Sequence, residues 1–75
     1  MHVTIKCFAT LSRFQPPDAE AHPIGPGETA RSLAERLGIP LEDLKLLFVN
    51  GSRVELDAPL AHGDRVGFFP AVGGG

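Results

Sequence analysis

The stretch ETARSLAERLGI, residues 28–39, decides the fold of this chain of 75 residues. Its apolar residues recur at the spacing i, i+3, i+4 and i+7, which places them along one face of an α-helix. These residues are Ala30, Leu33, Ala34 and Leu37. Thr29 can cap the start of the helix, and Gly38 can adopt the left-handed conformation that ends it. Because about two and a half turns of helix are not stable alone in water, we expect the apolar face to pack against a sheet.

Segments with the pattern of short strands lie on both sides of this helix. Residues 46–50 (LLFVN) are apolar on both faces, as in an interior strand or one whose outer face meets a partner. Pro23 predicts an edge strand, because proline cannot donate a ladder hydrogen bond, and Asn50-Gly51 predicts a hairpin. The strand segments are residues 2–8, 19–24, 46–50, 52–56 and 65–69. The predicted fold class is therefore α+β, with one main helix packed on one face of a small mixed sheet.

The composition argues against several classes of function. The chain has a net charge of −2 and no basic run, so we expect no binding to nucleic acid through phosphate neutralisation. Its one cysteine cannot form an internal disulfide, and its three histidines lack the spacing of a metal site. No apolar stretch approaches the roughly 18 residues of a membrane span, and the sequence before the first strand shows no basic leader. We expect a cytoplasmic protein with no bound metal or cofactor.

The side chains supply no complete active site. None of the serines lies in the GxSxG elbow of a serine nucleophile. Glu42 and Asp43 are sequence neighbours, which point apart on a helix, so they fit a helix start better than acid–base catalysis. Cys7 lies on the apolar face of the first strand without a basic cluster to activate it, which favours a packing role. We therefore expect that this chain is not an enzyme.

The chain ends in residues 70–75 (PAVGGG), whose three glycines contribute nothing to a core. Glycine has no Cβ, so this backbone can enter a narrow channel, and it ends in an α-carboxylate without neighbouring bulk. Six fully extended residues reach on the order of 20 Å, which is far enough to enter the active site of another protein. We divide the chain into a folded domain, residues 1–69, and a flexible C-terminal tail, residues 70–75.

Several short pieces, in this order and spacing, are similar to those of one family. They are FATL at residues 8–11, LAERLGIP at 33–40, VNG at 49–51, PL at 59–60, GDRV at 63–66 and FPAVGGG at 69–75. No single piece is specific to the family. Their order, their spacing and their end at the last residue are specific when they are taken together. The chain resembles the ubiquitin-like β-grasp sulfur carriers, which include the molybdopterin synthase small subunit and the thiamine-biosynthesis sulfur carrier. It departs from the family in Gly73, which stands at the small-residue position before the usual Gly-Gly, and in a proline-rich first hairpin.

The resemblance implies that the reacting group is the C-terminal carboxylate of Gly75. An E1-like adenylating enzyme, related to ubiquitin-activating enzymes, would use ATP to convert this carboxylate into an acyl-adenylate. A sulfur donor, such as a cysteine desulfurase or a rhodanese-like protein, would displace AMP and leave a thiocarboxylate. Gly73 and Gly74 would be recognised as part of the tail, which a larger catalytic subunit would receive. The small chain would then be a co-substrate and subunit.

Three functions remain open on the sequence alone. The FATL opening and the Phe69-Pro70 ending resemble the carrier of the molybdenum (or tungsten) cofactor pathway more than that of thiamine or another sulfur-transfer pathway. The same tail would serve a ubiquitin-like protein modifier that is conjugated to lysines through Gly75. A plain binding module with an inert tail is the third candidate.

The outer face of the sheet is the predicted docking surface for partner proteins. One helix covers one face, yet the strands carry apolar residues on both. Phe69 shares its strand face with Arg65 and Gly67 and stands beside the tail, so we place it on the outer face. An exposed apolar patch beside a functional terminus is typical of a protein interface. The predicted contact residues are Phe69, Phe8, Phe48, Pro70 and Val72.

Overall fold

Five strands and one α-helix form the fold within residues 1–71, the part of the chain that this computed structural model describes. The strands are β1 (His2–Cys7), β2 (His22–Pro23), β3 (Leu44–Val49), β4 (Ser52–Val54) and β5 (Arg65–Pro70), and the helix is α1 (Ala30–Leu37). Short 3₁₀ helices span Ala9–Phe14, Ala19–Ala21 and Leu41–Asp43. The sheet order is β2-β1-β5-β3-β4, with β1 parallel to β5 and the other neighbours antiparallel. This mixed sheet with its single main helix confirms the predicted α+β, β-grasp architecture.

Two local motifs set the ends of α1. Thr29 Oγ1 accepts a hydrogen bond from the Ser32 N–H at 3.1 Å, and Ser32 Oγ accepts one from the Thr29 N–H at 2.9 Å. These reciprocal bonds form a capping box. At the other end Gly38 has a φ of 84°, and the next residue, Ile39, returns to the core with 3% of its surface exposed. Both predicted helix ends are confirmed.

The carboxylate of Glu28 links the start of α1 to its last turn. Arg36 Nη2 lies 2.9 Å from Glu28 Oε1, and Ser32 Oγ donates a hydrogen bond to Glu28 Oε2. Burial raises the pKa of Glu28, but these hydrogen bonds outweigh burial and lower the pKa below its ordinary value. Because the folded pKa is lowered, Glu28 stabilises the fold above its unfolded pKa, and this contribution is lost as the pH falls through the folded pKa.

The core lies between α1 and one face of the sheet. Its buried residues are Val3, Ile5, Cys7, Leu11, Ile24, Ala30, Leu33, Ala34, Ile39, Leu47, Val66 and Phe68. The alternation predicted for β1 is confirmed, since Val3, Ile5 and Cys7 all face this side. In β5 the core side is taken by Val66 and Phe68, the latter fully buried, which leaves Arg65, Gly67 and Phe69 on the other face.

The predicted hairpin between β3 and β4 is confirmed. Asn50 and Gly51 have φ angles of 53° and 84°, as a two-residue type I′ turn requires. The strand bounds differ from the predicted ones, since β3 begins at Leu44 and β4 already ends at Val54. The last strand continues to Pro70, which pairs with Leu44, so the sheet includes the first residue of the predicted tail.

The first connection differs most from the sequence prediction. The strand predicted over residues 19–24 shrinks to His22–Pro23, and Ala19–Ala21 forms a 3₁₀ turn instead. The side chain of Gln15 takes the place of the missing strand. The Cys7 N–H donates to Gln15 Oε1 at 2.6 Å, and Gln15 Nε2 donates to the Ile5 carbonyl at 2.8 Å. One amide therefore supplies hydrogen-bond partners to backbone groups on the part of the β1 edge that β2 does not reach. The predicted edge position of Pro23 is confirmed, since β2 is the first strand in the sheet order.

We predict that Gln15→Ala lowers the free energy of unfolding by about 1 kcal/mol, because the Cys7 N–H and the Ile5 carbonyl lose their partner. The cost stays at the lower end of the usual range because Gln15 is exposed, and water can reach these groups. Urea unfolding followed by circular dichroism measures the change. Gln15→Glu is the matched variant, since it keeps the acceptor and removes the donor. An unchanged unfolding midpoint for Gln15→Ala would contradict the strand-replacing role.

Candidate functional site

The predicted site residues fall into two groups. Phe8, Phe48, Phe69 and Pro70 lie in the part of the chain that the structure describes. The rest of the predicted site lies outside the described residues, and its roles stay predictions. These residues are Val72, Gly73, Gly74 and Gly75.

The structure brings the three predicted phenylalanines together. The rings of Phe8 and Phe69 are stacked, with centroids 4.1 Å apart and planes 8° from parallel. Phe48 meets Phe69 edge to face, at a centroid distance of 5.3 Å and an angle of 74°. All three rings are half-buried. We call Phe8, Phe48 and Phe69 the aromatic patch.

The strand register places the aromatic patch on the sheet face opposite α1. Successive side chains of a strand point to opposite faces, and Phe68, the neighbour of Phe69, is fully buried against the core. The outward placement of Phe69 is therefore confirmed. The Phe8 N–H donates to the Phe68 carbonyl at 3.0 Å, which continues the β1–β5 pairing and places Phe8 beside Phe69. Phe48 pairs with Gly67 on the other flank of β5.

Gly67 forms the floor between the three rings. A Cβ atom at this position would lie 3.4 Å from Phe69 Cε1 and 3.5 Å from Phe8 Cε2, which is ordinary van der Waals contact, so both rings lie close over this glycine. Above this floor is an open groove of about 380 Å³. Its lining is the aromatic patch together with Thr4, Lys6, Gly51, Arg65, Val66 and Gly67. Lys6 is not among the site residues predicted from the sequence, although the alternation of β1 places it on the same face as Phe8.

Pro70 and Ala71 mark the point where the chain leaves the sheet. Pro70 is buried and pairs with Leu44, whereas Ala71 is exposed. In this conformation Pro70 is directed towards the core side of β5, and Phe69 presents its ring on the outer face. The proposed contact of Pro70 with partners stays a prediction, and the geometry gives it an anchoring role at the base of the tail.

Cys7 has the surroundings of a packing residue. Its side chain lies in the core with 7% of the residue exposed. Burial raises the pKa of the thiol to about 11, so that the thiolate needed for nucleophilic attack is scarce at neutral pH. This agrees with the structural role that the sequence favours.

A second group of charged side chains lies on the helix side, away from the aromatic patch. Asp18 Oδ1 lies 2.6 Å from His22 Nδ1, and this hydrogen bond lowers the pKa of Asp18. His22 and Arg36 connect this loop to α1, with 3.4 Å between His22 Nε2 and Arg36 Nη1. Among residues 1–71, no three or more His, Cys, Asp or Glu side chains are grouped so that they could hold a metal ion. None of the helices described in that range has the length and apolar character needed to cross a membrane.

Comparisons with known proteins match nearly the whole chain to one family. The model of the ThiS family matches residues 5–75. A curated relative, the molybdopterin synthase sulfur carrier subunit of Escherichia coli (strain K12), is 51% identical over 43 residues. This match covers 56% of the present chain and 53% of the relative, so the chain spans about half the length of that protein.

We predict that Phe69→Ala costs about 1–2 kcal/mol of stability, because the half-buried ring loses its stacking on Phe8 and part of its burial. Phe68→Ala is the matched control, and it should cost about 3–5 kcal/mol because Phe68 is fully buried. Thermal unfolding of both variants measures the difference. Equal losses would show that Phe69 belongs to the core and that the outer face is wrongly assigned.

Proposed function

The chain belongs to the ThiS family, and on that premise we propose that it is a sulfur carrier protein. In this proposal an adenylating enzyme uses ATP to activate the Gly75 carboxylate as an acyl-adenylate, with release of pyrophosphate. A sulfur donor, such as a cysteine desulfurase or a rhodanese-like protein, then displaces AMP through the outer sulfur of its persulfide and forms an acyl disulfide. A thiol attacks the donor's sulfur in this acyl disulfide, forms a disulfide with it and leaves a thiocarboxylate on Gly75. The thiocarboxylate delivers its sulfur to an acceptor bound by a larger catalytic subunit.

The residue types at the terminus suit this chemistry. A carboxylate is a poor electrophile until it is activated, and the acyl carbon of a glycine offers an incoming nucleophile little steric obstruction. Gly73 and Gly74 have no Cβ, so a narrow channel in a partner can admit their backbone. Beyond the buried Pro70, five fully extended residues span about 17 Å. A partner that docks on the folded domain can therefore receive the terminus in its own active site.

The observation that carries the proposal is the joint position of the aromatic patch and the start of the tail. Phe69 lies one residue before Pro70, the last residue of β5, so a partner held on the aromatic patch lies beside the departing chain. Half-buried aromatic rings are typical anchors of protein interfaces. This geometry supports docking of the adenylating enzyme and of the acceptor subunit on the same face.

The pathway we propose is the synthesis of the molybdenum (or tungsten) cofactor, with this chain as the small subunit of molybdopterin synthase. The identity of 51% with a molybdopterin synthase sulfur carrier subunit supports this choice. The alternatives are a carrier for thiamine or another sulfur-transfer pathway, and a protein modifier conjugated through Gly75. Mass spectrometry of the protein from its native cell distinguishes them. A terminal oxygen replaced by sulfur supports a carrier, adducts on lysines support a modifier, and an unmodified terminus contradicts both.

We predict that one residue added after Gly75 abolishes sulfur transfer and leaves the fold intact. The extension moves the reacting carboxylate by more than about 3 Å, and a misplacement of about 1 Å can already cost on the order of 10²-fold in rate. Adenylation by the cognate enzyme, followed as ATP–pyrophosphate exchange, measures the effect. The same residue added at the N-terminus is the control. Full activity of the extended protein, with the extension shown by mass spectrometry to remain attached, would contradict the proposal.

We predict that Cys7→Ala retains thiocarboxylate formation and loses about 1 kcal/mol of stability, since it removes one small buried group. Reconstituted sulfur transfer, read by mass spectrometry, tests the first part, and urea unfolding tests the second. A folded Cys7→Ala protein that is adenylated but gains no sulfur would make Cys7 a relay thiol.

A further inference from the structure

The charged residues of this chain are distributed unevenly between the strands and the rest of the fold. The sequence has nine acidic and seven basic residues, and no acidic residue lies in any of the five strands found within residues 1–71. The basic strand residues are Lys6, Lys45, Arg53 and Arg65. The sheet is therefore positively charged although the chain as a whole carries a net charge of −2.

The strand register places three of these cations on the outer face. Residues directly opposite each other on neighbouring strands point to the same face. Lys6 pairs with Gly67, Gly67 with Phe48, and Phe48 with Arg53, so one row across the sheet has a cation at each end and an aromatic ring between them. Arg65 pairs with Thr4 in the next row. Lys6 and Arg65 line the groove together with the aromatic patch.

These three cations have no ion-pair partner in the described part of the chain, residues 1–71. The ion pairs found there join His22 to Asp18 and Arg36 to Glu28, both on the helix side. Asp64 is next to Arg65 in sequence, but its carboxylate accepts hydrogen bonds from Asn50 Nδ2 at 2.9 Å and from the Ala61 N–H at 2.8 Å. Lys6, Arg53 and Arg65 are all exposed, so their charge is available to a partner.

We propose that the outer face docks a protein whose contact surface is apolar at its centre and carries carboxylates around that centre, where it meets Lys6 and Arg65. The inference rests on the proposed function, because the partner is taken to be the adenylating enzyme that receives the tail. The aromatic patch supplies the apolar contact beside the departing chain. The cations attract the acidic surface over distances of about 10 Å, the screening length at moderate salt, and so raise the rate of productive encounter.

Two other occupants fit the observations less well. A second copy of this chain docked face to face would bring two sets of unpaired cations together, which disfavours association. Single-stranded nucleic acid needs free aromatic faces on which bases stack. The rings of Phe8 and Phe69 are instead stacked on each other, 4.1 Å apart.

Charge reversal on the two faces of the domain tests the proposal. Lys6→Glu and Arg65→Glu change the outer face, and Arg31→Glu makes the same change in net charge on the exposed side of α1. A glutamate in the first turn of a helix is compatible with its dipole, so the control should fold. Adenylation of each variant by the enzyme from the same genome is measured as kcat/KM in pyrophosphate exchange, at about 50 and about 300 mM salt. Thermal unfolding verifies that each variant is folded.

At low salt we expect kcat/KM to fall by about tenfold or more for each outer-face variant and by less than about twofold for Arg31→Glu, with the difference shrinking at high salt. The proposal would be overturned by equal effects of all three variants, by no effect of the outer-face variants, or by an effect that does not depend on salt. In each of these cases, adenylation of the wild type would still uphold the proposed function. A wild type that is not adenylated would contradict the proposed function and this inference with it.

A labelled single-stranded oligonucleotide is the second probe. Its binding to the wild type, lost on Lys6→Glu, would assign the face to nucleic acid instead.

Discussion

The rest of the structure depends on the placement of β5 between β1 and β3. This strand pairs in parallel with β1 and antiparallel with β3, so it is the one element that contacts both halves of the sheet described here. Its alternation places Phe68 in the core and Phe69 on the outer face. A slip of one residue in this register would exchange the two faces, exposing Phe68 and burying Phe69 against α1. The same pairing therefore determines the core, the aromatic patch and the point where the tail begins.

Packing within the aromatic patch holds its three rings in place. Phe8, Phe48 and Phe69 support one another through a stacked and an edge-to-face contact, and the rings of Phe8 and Phe69 lie over Gly67. Side chains that are already held in place lose less conformational freedom when a partner binds. The groove therefore offers an ordered apolar surface without a change in the fold.

The parts of the fold that could be predicted from sequence are those set by local interactions. The capping box at Thr29, the left-handed Gly38 and the Asn50-Gly51 turn each depend on residues close in sequence, and each lies where the sequence predicts it. The edge of β1 could not be predicted. There Gln15 substitutes for a strand through hydrogen bonds to Cys7 and Ile5. No pattern in the sequence predicts that a glutamine side chain makes these contacts.

The candidate site likewise depends on contacts between residues far apart in sequence, which could not be predicted. The sequence predicted Phe69 on the outer face and named Phe8 and Phe48 as further contact residues, but it does not show which strands flank β5. The structure shows that β1 and β3 flank it, so both rings contact Phe69. Lys6 became part of the groove for the same reason, since it pairs with Gly67, which lies 61 positions later in the chain. The roles of Gly73, Gly74 and Gly75 depend on another protein and stay predictions.

A carrier that serves more than one enzyme needs contacts that form quickly and separate again. In the proposed function the chain meets an adenylating enzyme, a sulfur donor and an acceptor subunit in turn, so very tight binding to any of them would slow the cycle. Small interfaces favour such transient contact. Exposed cations such as Lys6 and Arg65 act mainly on the rate of encounter, whereas the buried centre of an interface governs dissociation. A compact aromatic patch flanked by unpaired positive charges therefore combines fast association with release, and the chemistry itself can be left to the terminus and to the partner's active site.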